Sequence, residues 1–504
     1  MKILLVYPKY PDTFWSFKHA LKFVSKKATH PPLGLLTVAA MLPRDWKKKL
    51  VDMNVGMLTD ADIKGANLVF ISAMSIQRRS AEEVIRRCNK LGVKVVAGGP
   101  LFTSEWDQFT GVDHFVLNEA ETTLFPFLND LEKNCAKHIY TSSDWPDITD
   151  SPIPLWSLVD MRHYATMSLQ YSRGCPFNCE FCDIIVLNGR KPRTKKKEQL
   201  IAEMEALYLQ GWHDGVFFVD DNFIGNKVKL KSEILPAIIQ WMENRKRPFS
   251  FGTEASVNLA DDDELLGLMV RAGFDAVFVG IETPSEESLS ECGKYQNKGR
   301  DLIASVKKMQ NYGIQVQGGF IVGFDNDSPS IFERQINFIQ KSGIVTAMVS
   351  LLQAPKNTRL YHRLKKENRL LPTDMIGDNT TINFTPKMSY QTLVDGYRRI
   401  INTIYSPEQY YHRLNTFLRE YRPPRSKKRL RLRLRYIVTV TKVLWSLGIK
   451  EPGRMYYWRL FFSNLCRPRK FLPSMTLAVC GLHLRKVVKG YNKKLMVTLP
   501  VSKS

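Results

Sequence analysis

The sequence predicts an α/β protein in three parts: an N-terminal doubly wound, Rossmann-like parallel sheet, a central partial (β/α)6 barrel, and a mainly helical, strongly basic C-terminal region. Three observations predict it. Short apolar runs alternate with helix-length amphipathic stretches as far as residue 353, the pattern of parallel βαβ units. That alternation is broken once, by a stretch rich in Asp, Ser and Pro around residues 140–158. Beyond Pro355 the strand-like runs cease and positive charge accumulates. The boundaries read from these changes are 1–145, a linker at 146–165, 166–385 and 386–504.

Composition agrees with three cores. The chain has 504 residues, and roughly 150 per domain gives about three. Apolar residues make up 44% and charged residues 24%, a globular rather than a disordered balance. The opening MKILLVYPKY enters a strand with no cleavable signal pattern, so a cytoplasmic protein is expected. Eight cysteines are too sparse for a disulfide scaffold. Three of them lie within eight residues, which points to a metal centre in a reducing compartment. The net charge of +24 is uneven: residues 421–504 hold 21 Lys and Arg against one acid, Glu451, so the first 420 residues are near neutral.

In the first part, residues 3–6, 68–71, 93–97 and 114–117 are expected as strands, with helices at 33–41 and 81–91. Val84, Ile85, Cys88 and Leu91 share one helix face, as in a helix covering a sheet. In the second part the strands are 168–171, 216–219, 249–253, 276–281, 316–322 and 346–352, with helices at 198–210, 262–271, 301–312 and 331–341. Six units rather than eight predict a barrel open on one side. In the third part, 393–404 and 408–421 read as helices, followed by the basic run RSKKRLRLRLR at 425–435. The apolar stretches 436–449, 455–465 and 471–484 contain Lys442, Arg459 and Pro473 and fall short of the roughly 20 residues that span a bilayer, so no transmembrane helix is expected.

The chemistry centres on SRGCPFNCEFCDI, where Cys175, Cys179 and Cys182 have the spacing C-x3-C-x2-C. Three thiolates on one tight loop can hold three irons of a [4Fe–4S] cube and leave the fourth open. A structural zinc needs four protein ligands. No fourth cysteine is near, and His163 lies 12 residues upstream across a predicted strand. The loop also follows the first strand of a βα array, where active sites of such sheets gather.

The loop and the segments after it resemble the radical S-adenosylmethionine (SAM) superfamily. The resemblance implies that Phe181 packs near the adenine of SAM. VFFVDDNF ends the second strand, which puts Asp220 and Asp221 where the superfamily often binds the methionine end of SAM, although the commoner form there is Gly-Gly-Glu. Glu254 and Glu282, the latter in VGIE, end the third and fourth strands and would meet the ribose hydroxyls or the amino group. Either could instead cap a helix or pair with an Arg. Gly318 and Gly319 in GGFIVG resemble the fifth-strand glycine motif that lets backbone approach the adenine, but glycines also serve tight turns.

A doubly wound sheet binds ligands at the carboxyl ends of its strands. Here those positions are Pro8, Ser72, Ala73, Gly98, Gly99, Pro100, Asn118 and Glu119. No G-x-G-x-x-G follows the first strand, so a dinucleotide is not expected. The order KILLVYP, PPLGLLTVAA, VFISAM, VVAGGP and VLNEAE resembles the cobalamin-binding domain that precedes many radical SAM enzymes, in which small residues let a corrin approach the backbone. The D-x-H-x-x-G motif is absent, and His19, His30 and His114 stand outside that context, so cobalamin would bind without a histidine ligand. The competing reading is a degenerate domain that only shapes the substrate pocket. With FVDDNFIGN, GIETP and LLQAPKNTRLY, the whole arrangement resembles the family containing the hopanoid C-2 methylases, or a sister branch of it.

The resemblance implies a [4Fe–4S] cluster, SAM and cobalamin as cofactors, a low-potential donor of flavodoxin or ferredoxin type, and methylation of an unactivated carbon on a small-molecule or lipid substrate. A radical route needs no acid–base dyad or nucleophilic triad, and none is visible. Ring formation or rearrangement is the alternative within the same enzyme class. The basic run beside apolar stretches with Trp445, Tyr456, Tyr457, Trp458, Phe461 and Phe462 suits peripheral contact with anionic lipid at the inner face of the membrane. An ordinary helical core fits those aromatics almost as well. Nucleic acid is disfavoured: methylthiotransferases that modify tRNA carry a second cysteine triad, which Cys88 and Cys135 cannot supply. Cys292, Cys466 and Cys480 are expected to be structural.

Overall fold

The computed structural model describes residues 1–372, 380–423 and 434–497. Strand β1 (Lys2–Tyr7) carries four consecutive buried residues, Ile3, Leu4, Leu5 and Val6. A strand covered on both faces must be apolar on both. Around it lie β2 (Lys47–Asp52), β3 (Leu68–Ser72), β4 (Lys94–Gly98), β5 (His114–Val116) and β6 (Ile139–Tyr140), all parallel, in the order β2-β1-β3-β4-β5-β6. The helix Arg78–Lys90 buries Val84, Ile85 and Cys88 on one face of this sheet, and Leu33–Met41 with Ala120–Glu132 covers the other. Sequence reading misses β2 and β6. β2 is an edge strand opening on Lys47, Lys48 and Lys49, charges that keep an edge from pairing further, and β6 has two residues. The strand order reverses between β1 and β3, which opens a crevice at their carboxyl ends.

The expected linker is an anchored connector. It contains short 3-10 turns, and Trp156 and Tyr164 are buried, with the Tyr164 hydroxyl donating to Asp52 at 3.0 Å. Aromatic anchors leave no periodicity for a sequence to show.

The second sheet holds β7 (Met167–Leu169), β10 (Gly215–Phe218), β11 (Ser250–Glu254), β12 (Phe274–Glu282), β13 (Gln315–Val322) and β14 (Ala347–Leu351), parallel and in chain order. A two-residue antiparallel pair, β8 (Ser172–Arg173) with β9 (Arg193–Thr194), flanks the cysteine loop. Sequential order with unpaired edges at β7 and β14 is the six-stranded open barrel. The outer strand face is buried beneath helices Lys197–Leu209, Leu235–Asn244, Asp263–Ala272, Leu302–Asn311 and Ile331–Ser342; Phe320 of β13, for example, meets Phe338 edge-on at 5.9 Å. The concave face alternates with it and carries Phe217, Gly252, Phe278, Gly280 and Gly319, each half-buried.

The last region is helical: Tyr390–Tyr405, Pro407–Glu420, Leu434–Val443, Arg454–Leu465 and Pro468–Val497. The final helix corrects the expectation of short apolar stretches. It runs through Pro473 and the basic residues beyond Leu484, which are straight-chain helix formers. Its Pro468–Leu495 portion is long and apolar enough to cross a membrane, but half of its most apolar window is buried inside the protein. It packs against Tyr390–Tyr405, Pro407–Glu420, Arg454–Leu465 and the short helix Lys18–Leu21. The basic run 425–435 lies outside the described residues apart from the first two residues of the helix Leu434–Val443.

Candidate active site

The cysteine loop leaves the carboxyl end of β7 and is held at both ends. Gly174 has φ +93°, and a Cβ there would stand 2.8 Å from the Lys191 carbonyl oxygen, so only glycine fits. Its N–H donates to Asp221 at 2.9 Å, and Asn188 donates to the same carboxylate oxygen at 2.9 Å. At the other end the Glu180 N–H donates to Cys292 O at 2.8 Å. The buried Glu180 carboxylate accepts from Arg363 at 2.7 and 3.1 Å, and Leu360 N–H donates to the Glu180 carbonyl at 3.0 Å. The string LLQAPKNTRLY thus opens a helix, Arg359–Lys366, that clamps the loop.

Cys175, Cys179 and Cys182 are free thiols. Burial raises the Cys175 and Cys182 thiols above their usual range. Among the described residues no three His, Cys, Asp or Glu side chains converge on a single-ion site. In a [4Fe–4S] cube each thiolate takes a different iron, so the three need not meet at one ion. Asn222 directs an N–H at Cys175 Sγ (4.0 Å) and Gln296 one at Cys179 Sγ (3.8 Å). Donors to cluster sulfurs tune redox potential. Sequence reading missed both, although Asn222 directly follows the aspartate pair.

The four strand-end carboxylates divide into two roles. Asp220 is buried and occupied, accepting from Tyr171 N at 3.0 Å and from both the backbone and hydroxyl of Ser172. Burial nevertheless pushes it up to about 7. With Asp221 it braces the start of the cysteine loop. Glu282 ends β12 with φ +64°, at a break in register with β13, and forms a buried ion pair with Lys294. Burial alone would depress the Lys294 ammonium, but Glu282 and then Cys179 hold it above its usual range. A Cβ on Gly280 would stand 2.3 Å from Glu282 Oε1 and 2.6 Å from Lys294 Nζ, so the pair lies across the concave face. Lys294 is a third residue that sequence reading missed.

Glu254 differs. It is half-buried at the end of β11, and its carboxylate makes no hydrogen bond or ion pair among the described residues. Burial, then the charges of Asp221, Asp220 and Glu282, push it up to about 8. A carboxylate without a partner beside the cluster loop fits a cationic or hydroxyl-bearing ligand such as SAM.

The two glycines of β13 face opposite ways. A Cβ on Gly319 would meet Phe278 at 2.9 Å on the concave face, whereas one on Gly318 would meet Phe320 and Ile344 on the outer face. Gly318 therefore serves packing against the helical jacket. Phe181 is half-buried and tilted against Phe324, 6.1 Å away. Trp15, from the segment after β1, reaches Phe278 at 4.6 Å and keeps 44% of its surface exposed.

At the edge of the first sheet, Ser72 lies beside Gly99, whose φ is +88°; a Cβ on Gly98 would stand 2.6 Å from the Val116 carbonyl. Pro8 O accepts from Asn54 and Gln77, Ala73 is buried with its carbonyl accepting from Leu101 N, Pro100 opens the helix Pro100–Glu105, and Asn118 has φ +61°. Met74 and Trp106 stay partly exposed near this edge, apolar area that suits a flat corrin. Glu119 is different: its buried carboxylate accepts from Arg173 and Arg193, the latter at 2.5 and 3.0 Å. Glu121 adds a bond from Arg173 at 2.9 Å, and despite burial Arg173 holds Glu121 down at about 2. Asp107 pairs with Lys356 at 2.7 Å. These pairs tie the first sheet to the barrel beside the cysteine loop. His30 bonds Thr166 at 2.8 Å, His114 bonds the Lys137 carbonyl at 2.7 Å, and His19 lies 3.5 Å from Asp12.

Residues 169–339 match the Radical SAM superfamily, 23–125 a B12 binding domain and 358–496 a domain of unknown function, DUF4070. An uncharacterized methyltransferase of Synechocystis sp. is 42% identical over 97% of this chain and 93% of its own length. The hopanoid C-2 methylase of Rhodopseudomonas palustris is 33% identical over 92% and 90%. The solved structure of the cobalamin-dependent S-adenosylmethionine radical enzyme OxsB, with aqua-cobalamin and SAM bound, shares the fold at a TM-score of 0.61 and 16% identity, over 99% of this chain and 81% of that one.

Proposed function

The chain belongs to the cobalamin-dependent radical SAM methyltransferases, and from that premise we propose that it methylates an unactivated carbon of a hydrophobic, hopanoid-like lipid. The observation that carries the substrate reading is the aromatic concave face. Phe217, Phe278 and Trp15 offer apolar contact there, while Gly252, Gly280 and Gly319 make room for Phe217, the Glu282–Lys294 pair and Phe278. The likeness to the hopanoid C-2 methylase points the same way.

The cofactors are a [4Fe–4S] cluster, SAM and cobalamin, which supply one-electron reduction of the sulfonium and a methyl carrier when bound. In this reading Cys175, Cys179 and Cys182 hold the cluster, and Asn222 and Gln296 set the field at its sulfurs. Glu254 takes the amino group or a ribose hydroxyl of SAM. Asp220 and Asp221 fix the loop rather than the ligand. Ser72, Gly98 and Gly99 form the sheet edge for the corrin, and Glu119 holds that edge against the barrel through Arg173 and Arg193. Burying these groups between two sheets excludes water from a reactive centre. A flavodoxin- or ferredoxin-type protein supplies the electron.

Lipid analysis of a deletion strain is the test. A methylated polycyclic lipid should vanish and return on complementation, but not with Cys179→Ala. If no methylated lipid disappears, the substrate reading fails, while reductive SAM cleavage by the purified protein would still report the enzyme class.

A further inference from the structure

The C-terminal helices enclose a cleft of about 430 Å³ between Pro407–Glu420, Arg454–Leu465 and the start of Pro468–Val497. Arg419, Arg459, Arg467 and Lys470 line it, with no acidic residue in the wall. None of the four has a carboxylate partner among the described residues; Lys470 donates to the Leu418 carbonyl and Arg419 to Thr416 Oγ1. Arg419, Arg459 and Arg467 are exposed and Lys470 is half-buried, so the four charges are open to a ligand from solvent. Four cations around one cavity without a counter-charge favour an anionic ligand.

A second feature lies on the same helices. Phe462, Leu465 and Leu472 are 65%, 52% and 57% exposed, and Met455 is 80% exposed. Trp445, 54% exposed, carries the Lys450 ammonium 5.4 Å above its ring. Aliphatic side chains gain nothing from phosphate in water but gain by entering the boundary between headgroup and acyl chain. We propose that this face docks on an anionic membrane: the cleft takes a phospholipid phosphate, and Phe462, Leu465 and Leu472 enter the interface beside it. Residues 421–504, with 21 basic residues against Glu451, give the long-range attraction. The inference goes beyond the substrate reading and does not need it, since any substrate could be drawn from or released to such a surface.

The experiment is flotation of the full-length, anaerobically reconstituted enzyme with vesicles of phosphatidylcholine alone, or with about 30% phosphatidylglycerol, in roughly 0.1 M salt. Partitioning should be at least about tenfold stronger on the anionic vesicles. Arg459→Gln with Arg467→Gln should weaken it roughly 25-fold, about fivefold per charge. Phe462→Ser with Leu465→Ser should weaken it severalfold while leaving its salt dependence unchanged. Both variants should retain reductive SAM cleavage, which shows that they fold and separates this proposal from the catalytic one. Equal binding to both vesicles, unchanged binding by the variants, or retention on RNA without vesicle binding would overturn it. So would binding of inorganic phosphate at the cleft with no affinity for vesicles, which would mark a site for a free anion.

Discussion

At the scale of single residues, Glu254 is the group whose environment asks most for a ligand. Its carboxyl is raised from 4.5 to about 8, so the folded, SAM-free protein keeps a proton that the unfolded chain has released. Stability should therefore be lost as pH climbs from about 4.5 to 8 and stay level above, in proportion to the proton retained. Glu254→Gln should make the SAM-free protein more stable than the parent at about pH 9, by roughly 2 kcal/mol, with the difference vanishing near pH 4. The same variant should bind SAM more weakly. Thermal denaturation across pH and equilibrium SAM binding check the two halves. Equal stability at high pH would show that Glu254 is already paired. The position was legible in sequence as an acid ending a strand; Lys294 and Gln296 were not, because their partners Glu282 and Cys179 lie 12 and 117 residues away.

At the scale of elements, the cysteine loop depends on a helix far along the chain. Arg363 joins Glu180, beside Cys179, to Asp325 after β13, and Arg369 completes the set at 2.6 Å from Asp325. Glu180 is nearly buried and Arg363 is its one cation among the described residues, so removing Arg363 strands that carboxylate, while Asp325 keeps Arg369. Arg363→Gln should cost about 2–3 kcal/mol of stability and should slow cluster reconstitution without changing the three ligands. Denaturation and the rate of recovery of the iron–sulfur absorbance measure this. A variant that reconstitutes at the parent rate would mean that the loop holds its shape without the clamp. β12 shows the same dependence: its last residue, Glu282, takes a left-handed backbone held by the Lys294 pair and by the Gln335 amide donating to its carbonyl at 3.0 Å.

At the scale of the whole molecule, the bracket of Glu119 and Glu121 with Arg173 and Arg193 fixes how the two sheets face each other. Transfer between two cofactors held on different domains requires that alignment, whereas SAM cleavage requires only the barrel. Glu119→Gln should leave reductive SAM cleavage within about twofold of the parent but lower methylation about tenfold or more. Proteolysis within 141–165 should accelerate. Parallel loss of both activities would place Glu119 in the cluster loop's own support instead. The sequence by itself determined the parts: the strand–helix alternation, the six barrel units, the cysteine spacing and the acids at strand ends. Each of these is local, set by side-chain period and by loops of a few residues. Only the tertiary structure decided what those parts do to one another. It gave Asp220 and Glu119 partners within the protein, sent Gly318 outward and Gly319 inward, and extended the apolar stretch 471–484 into one helix of 30 residues. Burial and pairing across hundreds of residues fix such roles, and no local pattern records them.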